Sequence, residues 1–357
     1  MKGLILCGGV GSRLRPLTFS RPKHLLPLMN KPVLFYGIEA MIQAGIKEIA
    51  VVVSPSYRKV FDEALQGGAP WNIAISLIEQ QEPKGLADAV RAAEPFIQQD
   101  DFLLYLGDNV IDGSLLPLIH KFQTENLDGL VSVSSVEAPE RFGVVQLDGE
   151  KIEKVVEKPK NPPSNLAING VYLFRHTLFG AISKIHPSAR GEYELTDAIQ
   201  QLIDDHYQLG VFRSPYWWKD TGLPKDLITC NQYFLQKLDR ISIKGTVDQE
   251  SSISNSVVIG EHARIINSVI RGPVIIGEHA IIENSYIGPY SSISNHVSIY
   301  NCELENSIVM ENTLLDCIPH RIDESLIGGE VKMIGKSQQP QCIQLWVGDH
   351  SQIYFPR

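Results

Sequence analysis

Gly3-Leu4-Ile5-Leu6-Cys7-Gly8-Gly9-Val10-Gly11-Ser12-Arg13-Leu14-Arg15 runs from an apolar stretch straight into glycines and then arginines. An apolar run this short, closed by turn residues, reads as a buried strand over Lys2–Leu6. The glycines remove side-chain bulk and allow positive φ, so successive backbone N–H groups can converge on an anion while Arg13 adds a full charge. Six basic side chains and no Asp or Glu lie between Met1 and Ile38, in a chain whose formal net charge is −9. A cationic segment inside an acidic protein points to a small anion. Nucleic acid would need a broad basic face, and a pI near 5.6 argues against one. The turn fits neither common phosphate loop: the Walker pattern is absent, and the dinucleotide fingerprint would need a glycine where Leu14 stands. An ordinary tight strand-to-helix turn is the competing reading, and Arg13 together with Lys23 of Arg21-Pro22-Lys23 weighs against it.

Outward from that turn, the first two thirds of the chain alternate strand-like and helix-like patterns. Strands are predicted at Glu48–Ser54, Ile73–Ile78, Phe102–Leu106, Leu130–Val136 and Val171–Phe174. Helices are predicted at Val33–Ala44, Leu86–Ala93, Leu115–Glu125, Leu178–Lys184, Leu195–Asp205 and Pro224–Leu238. This alternation predicts an α/β fold, a Rossmann-like, mostly parallel sheet sandwiched by helices, with ligands beyond the carboxyl ends of the strands. A length of 357 residues suggests more than one domain, and 43% hydrophobic against 20% charged residues describes a soluble globular protein. No apolar stretch reaches the roughly 20 residues of a membrane span, and the N-terminus lacks a signal peptide, so a cytoplasmic protein is expected. Cys7, Cys230, Cys302, Cys317 and Cys342 are scattered and read as reduced thiols without a zinc site.

After about Ile241 the texture changes. Val258-Ile259-Gly260-Glu261-His262-Ala263 recurs 17 positions later as Ile275-Ile276-Gly277-Glu278-His279-Ala280, with looser copies at Tyr286–Ser291 and Ser292–Val297. An aliphatic residue followed by a small one about every six positions is the mark of hexapeptide coils in a β-helix, and the pattern resembles that of left-handed parallel β-helices. Because 17 is not a multiple of six, one coil is expected to be shortened or irregular near Asn267–Pro273. Residues 1–240 are thus read as a catalytic domain, 241–335 as the β-helix, and 336–357 as an apolar extension packing on the β-helix or a neighbouring subunit.

Two acidic residues follow apolar strands. Asp108 in Tyr105-Leu106-Gly107-Asp108-Asn109 and Asp220 in Trp218-Lys219-Asp220-Thr221-Gly222 each read as a helix cap or as a ligand for Mg²⁺, which prefers carboxylate oxygens and substrate phosphates. Glu157-Lys158-Pro159 closes another strand, either as an exposed ion pair or as a site for a sugar and its phosphate. His262, His279 and His296 lie in the repeats. They are candidates for an acetyltransferase base, and their equivalent placement favours solvated turns.

Together with Gly85-Leu86-Ala87-Asp88-Ala89, Phe142-Gly143-Val144, Asn169-Gly170-Val171-Tyr172 and Arg190-Gly191-Glu192, these motifs stand in the order seen in sugar-1-phosphate nucleotidylyltransferases. The chain resembles the members of that family that carry a C-terminal β-helix. The resemblance implies that Gly8, Gly9 and Gly11, with Leu6 and Ser12, wrap the nucleotide, and that Arg13 and Lys23 neutralise its triphosphate. Gln80 and Gly85 would hold a pyrimidine base. Leu86, Leu106, Gly143, Glu157 and Ile168 would line the sugar pocket, and Lys158 and Arg190 would meet the sugar phosphate. Asp108 and Asp220 would ligate Mg²⁺. It implies dTTP and glucose 1-phosphate as substrates, with UTP the nearest alternative, and a homo-oligomer, trimer or tetramer, assembled through the β-helix. A non-catalytic regulatory relative would lack one of Arg13, Lys23, Asp108 or Asp220, and all four are present.

Overall fold

The computed structural model describes residues 1–335 and residue 353. The chain divides into two compact units, one made of Met1–Val10 with Val33–Asp220, the other of Gly11–Pro32 with the residues from Thr221 onward. Apart from an exposed Ile353, the expectation for residues 336–357 lies outside the described residues.

The first unit is built on a nine-stranded mixed sheet. Lys2–Cys7 lies between Phe102–Leu106 and Glu48–Val53, parallel to both, and Ala74–Glu79 continues the parallel part. Leu166–Phe174 pairs antiparallel with Phe102–Leu106 and with Gly129–Ser135. The hairpin of Gly143–Asp148 and Lys151–Glu157 completes the far edge. Both faces of the first strand are covered. Leu4 and Leu6 join Ala50, Val52, Phe102 and Leu104 in a core shared with helices Leu86–Ala92, Thr177–Ile182 and Leu195–Asp204. On the opposite face a Cβ on Gly3 would lie 2.8 Å from the sulfur of Met41, on helix Val33–Gln43. Leu166–Phe174 begins five residues before the strand expected from the sequence. Its register shifts between Ile168 and Tyr172, and Gly170 has φ +83°, so the bulge interrupts the alternation that would have revealed the strand.

The second unit is a left-handed β-helix of three parallel sheets with six, six and four strands. Its inward aliphatics Ile259, Ile265, Ile270, Ile276, Ile282, Ile287, Ile293, Ile299 and Leu304 are each at most 1% exposed and advance by six, five and six residues in turn. The register follows, with Ile265 opposite Ile282 and Ile270 opposite Ile287. The shortened step is therefore a feature of every one of these coils and not a single irregularity near Asn267–Pro273. It falls at Asn267, Asn284 and Asn301, whose φ values of 43°, 49° and 50° are left-handed, a conformation asparagine tolerates. Asn267 donates to Asn284 at 2.7 Å, binding one corner to the next. At another corner His262, His279 and His296 (φ 57–59°) stack with centroids 4.8 Å apart, one ring per coil.

Residues 11–32 pack in this unit because specific polar groups fasten them there. Arg21 forms an ion pair with Glu311, Asn30 donates to the carbonyl of Ile293 at 2.6 Å, and Met29 N–H donates to Asn231 at 3.1 Å. Asn231, buried on helix Pro224–Gln236, also accepts from Ser292 and donates to the carbonyl of Tyr290. No helix among the described residues is long and apolar enough to cross a membrane.

Candidate active site

The strand order reverses at Lys2–Cys7, and crevices form at such a point, beyond the carboxyl ends of the strands. Gly107 N–H donates to the carbonyl of Leu6 at 3.0 Å, so the glycine turn and Asp108 leave from neighbouring strand ends. Asp108 occupies a two-residue turn. The strand that follows, Asn109–Asp112, pairs antiparallel with Trp217–Asp220, and Asp220 stands directly opposite Asn109. Two carboxylates far apart in sequence thus occupy adjoining register positions. No cluster of three or more His, Cys, Asp or Glu suited to a metal exists among the described residues. A cation here would take its remaining ligands from water and phosphate, which is the habit of Mg²⁺ and fits this donor pair.

Asn109, which the motif contains but to which sequence reasoning gave no role, ties these elements together. It is 4% exposed, accepts from Trp218 Nε1 at 2.7 Å and donates to Asp108 Oδ1 at 3.3 Å. Its carbonyl accepts from the buried Tyr105 hydroxyl, whose pKa burial raises. A Cβ on Gly170 would come within 2.6 Å of Asn109 Nδ2, which is why glycine stands there.

Gln80 lies just past the Ala74–Glu79 strand and is 6% exposed. Its amide nitrogen donates to the Gly85 carbonyl at 3.1 Å and to Asp88 at 2.9 Å. Gly85 has φ +108°, and a Cβ there would lie 2.5 Å from the carbonyl oxygen of Tyr193, so the close approach of two backbones demands glycine. Leu6 is buried in the core, whereas Leu86 is 37% exposed.

Gly143, Glu157, Ile168, Lys158 and Arg190 come together in a second cluster. Glu157 pairs with Gly143 across the hairpin, and a Cβ on Gly143 would meet Thr196, Ile168 and Glu157. Glu157 lies 3.3 Å from Lys158 Nζ and 3.7 Å from Arg190 Nη2, and accepts from Thr196 at 3.3 Å. Lys158 has φ +41°, a conformation a lysine adopts only under local constraint. Glu194, unremarked in the sequence, is 3% exposed and grips Arg190 through Nε at 3.1 Å and Nη2 at 2.9 Å. Burial opposes the charge on Arg190, but Glu194, Glu192 and Glu157 outweigh it and raise the pKa. Burial, then Glu194 and Glu157, push the Asp197 carboxyl up. Leu106 stands at the strand end beside Gly170, its Cβ 3.2 Å from where a Cβ on that glycine would sit.

Gly11, Ser12, Arg13 and Lys23 belong to the second unit. Gly11, at φ +67°, precedes the short turn Ser12–Leu14, and a Cβ on it would lie 3.1 Å from the Cβ of Lys23. Arg13 is exposed. The six N-terminal cations do not act as one cluster: Lys2 pairs with Asp100 at 3.0 Å and Arg21 with Glu311, each satisfying a carboxylate elsewhere in its own unit.

The chain belongs to the nucleotidyl transferase family, whose profile matches residues 2–237. Along almost its whole length it is similar to the glucose-1-phosphate thymidylyltransferase of Streptomyces antibioticus, 39% identical over 355 residues that span 99% of each chain. The low-salt glycan biosynthesis nucleotidyltransferase Agl11 of Haloferax volcanii is 38% identical, again over 99% of both chains. Among solved structures, a Bacillus anthracis protein assigned as a glucose-1-phosphate thymidylyltransferase and bound to sucrose superposes with a TM-score of 0.62 at 33% identity, covering 65% of this chain and 94% of that one.

Proposed function

We propose that the protein is a glucose-1-phosphate thymidylyltransferase that joins dTTP and glucose 1-phosphate into dTDP-glucose and pyrophosphate. The observation that carries this reading is the register of Asp220 beside Asp108, at the strand ends from which the glycine turn departs, with a second polar cluster around Glu157. An oxygen of the sugar phosphate forms a bond to the α-phosphorus, and the bond to the bridging oxygen breaks with its electron pair leaving on pyrophosphate. A phosphate monoester is already largely ionised at neutral pH, so no general base is required. The chain's own work is alignment and charge neutralisation. Leu6, Gly8, Gly9, Gly11 and Ser12 present backbone to the nucleotide, Arg13 and Lys23 neutralise its phosphates, and Gln80 and Gly85 hold the base. Leu86, Leu106, Gly143, Glu157 and Ile168 hold the sugar, and Lys158 and Arg190 its phosphate. Mg²⁺, held by Asp108 and Asp220, would supply further neutralisation of phosphate charge.

The proposed organisation is a catalytic part over 1–240, a β-helix over 241–335 that assembles a cytoplasmic trimer or tetramer, and an extension over 336–357. The stacked histidines are read as repeated corners of the β-helix and not as an acetyltransfer centre. The test is to mix the protein and Mg²⁺ with glucose 1-phosphate and each of dTTP, UTP, ATP, CTP and GTP. Pyrophosphate release fastest with dTTP supports the reading, and a clear preference for a purine nucleotide ends it.

A further inference from the structure

We propose that Asp88 is a specificity-determining positioning residue, which fixes the Gln80 amide so that only its oxygen faces the nucleotide base. An amide can present either end, and density rarely distinguishes them, but the hydrogen-bond network does so here. Both fixed neighbours of the Gln80 amide group, the Gly85 carbonyl and Asp88 Oδ2, are acceptors at 3.1 and 2.9 Å, and only an NH₂ can satisfy them. The oxygen is left over. It points toward the glycine turn, 2.6 Å from where a Cβ on Gly8 would sit. A cleft of about 310 Å³ bordered by Gln80, Lys84, Asp88 and Arg91 lies alongside. Asp88 is held in turn by Arg91, which pairs with its other oxygen and lies 5.3 Å from the Tyr193 ring centroid.

An acceptor fixed in this way selects a base edge carrying an N–H. The imide of thymine or uracil has one at N3; cytosine has a lone pair there, and two acceptors would face each other without a proton between them. A site whose polar groups are left unpaired rejects the wrong base far more strongly than an apolar pocket rejects an extra methyl. Freed of Asp88, the amide can turn and offer its NH₂ to cytosine. The argument rests on the proposal above that Gln80 meets the base.

The test compares dUTP with dCTP, which share sugar and phosphates and differ only at the base edge, using kcat/KM for pyrophosphate release with glucose 1-phosphate. Wild type is expected to favour dUTP more than 100-fold. Asp88→Ala should cut that ratio about tenfold, the size of one misdirected hydrogen bond. Asp88→Asn, which keeps an acceptor oxygen, should stay within about threefold of wild type. An Asp88→Ala enzyme that slows equally with both nucleotides has lost only structure, and an Asp88→Asn enzyme as indiscriminate as Asp88→Ala shows that an acceptor is not what matters; either result overturns the assignment. Wild-type protein that turns over neither dTTP nor dUTP defeats the proposed function itself, a different failure.

Discussion

Gly170→Ala isolates the device that holds the two aspartates in register. Gly170 has φ +83°, and a Cβ on it would lie 2.6 Å from Asn109 Nδ2 and 3.0 Å from Asn109 Cγ. Holding an alanine in that left-handed conformation costs about 1–2 kcal/mol. The Asn109 side chain must also move, which deprives Trp218 Nε1 of the acceptor it reaches at 2.7 Å. Trp218 is half-buried, and an unpaired donor there costs up to a further ~1–3 kcal/mol. The sum, ~2–5 kcal/mol, corresponds to a fall in melting temperature of roughly 5–15 °C for a unit of this size. Because the same amide donates to Asp108, turnover should fall too, and more Mg²⁺ should be needed for half-maximal rate. The assay is thermal unfolding followed by tryptophan fluorescence, paired with a Mg²⁺ titration of pyrophosphate release. Combining Gly170→Ala with Asn109→Ala should cost less than the two changes added, since both disturb one contact. Melting within 1 °C of wild type at unchanged Mg²⁺ dependence would refute the reasoning.

Other changes test separate parts of the account. Glu194→Gln weakens the grip on Arg190 and should raise KM for glucose 1-phosphate about tenfold while KM for dTTP moves little, as separate substrate titrations would show. Burial tends to raise the carboxyl of Glu311, yet the Arg21 hydrogen bond, the residue's own backbone N–H and the Arg21 charge together outweigh it and hold the pKa below its ordinary 4.5. A depressed acid stabilises the fold fully above its unfolded pKa and loses that contribution as pH falls through the folded value. Glu311→Gln should therefore melt lower at pH 7 but show a shallower loss below about pH 4.5 than wild type, measured as melting temperature against pH. His279→Ala should leave pyrophosphate release unchanged, and neither protein should consume acetyl-CoA in the presence of glucosamine 1-phosphate.

The parts of this molecule that were legible in the sequence are those where one local pattern decides the structure. Gly3–Leu6 and Ile49–Val53 are continuous apolar runs that read directly as buried strands. The 17-residue echo of Gly260-Glu261-His262 announced the coils, although the reason for 17 lay in the asparagine corners, whose left-handed φ has no periodicity signal of its own. What remained hidden was long-range. Nothing near Asn109 or Trp218 foretells that they bond, because the strands that join them lie 109 residues apart in the chain. Arg21 counts in the sequence as one of six N-terminal cations, and only the fold shows that it pairs with Glu311. Neither the buried Glu194 nor the half-buried Asp88 has a role legible in one dimension, because a carboxylate that grips an arginine or a glutamine reads there like any other acid at the start of a helix.

The central claim is that Asp108 and Asp220 hold one divalent ion between them. Mn²⁺ binding in the presence of dTTP, followed by electron paramagnetic resonance, tests it most directly. One tight site per chain is predicted for wild type, lost in Asp108→Asn and equally in Asp220→Asn while the melting curves stay intact. Undiminished Mn²⁺ binding in either variant would contradict the account.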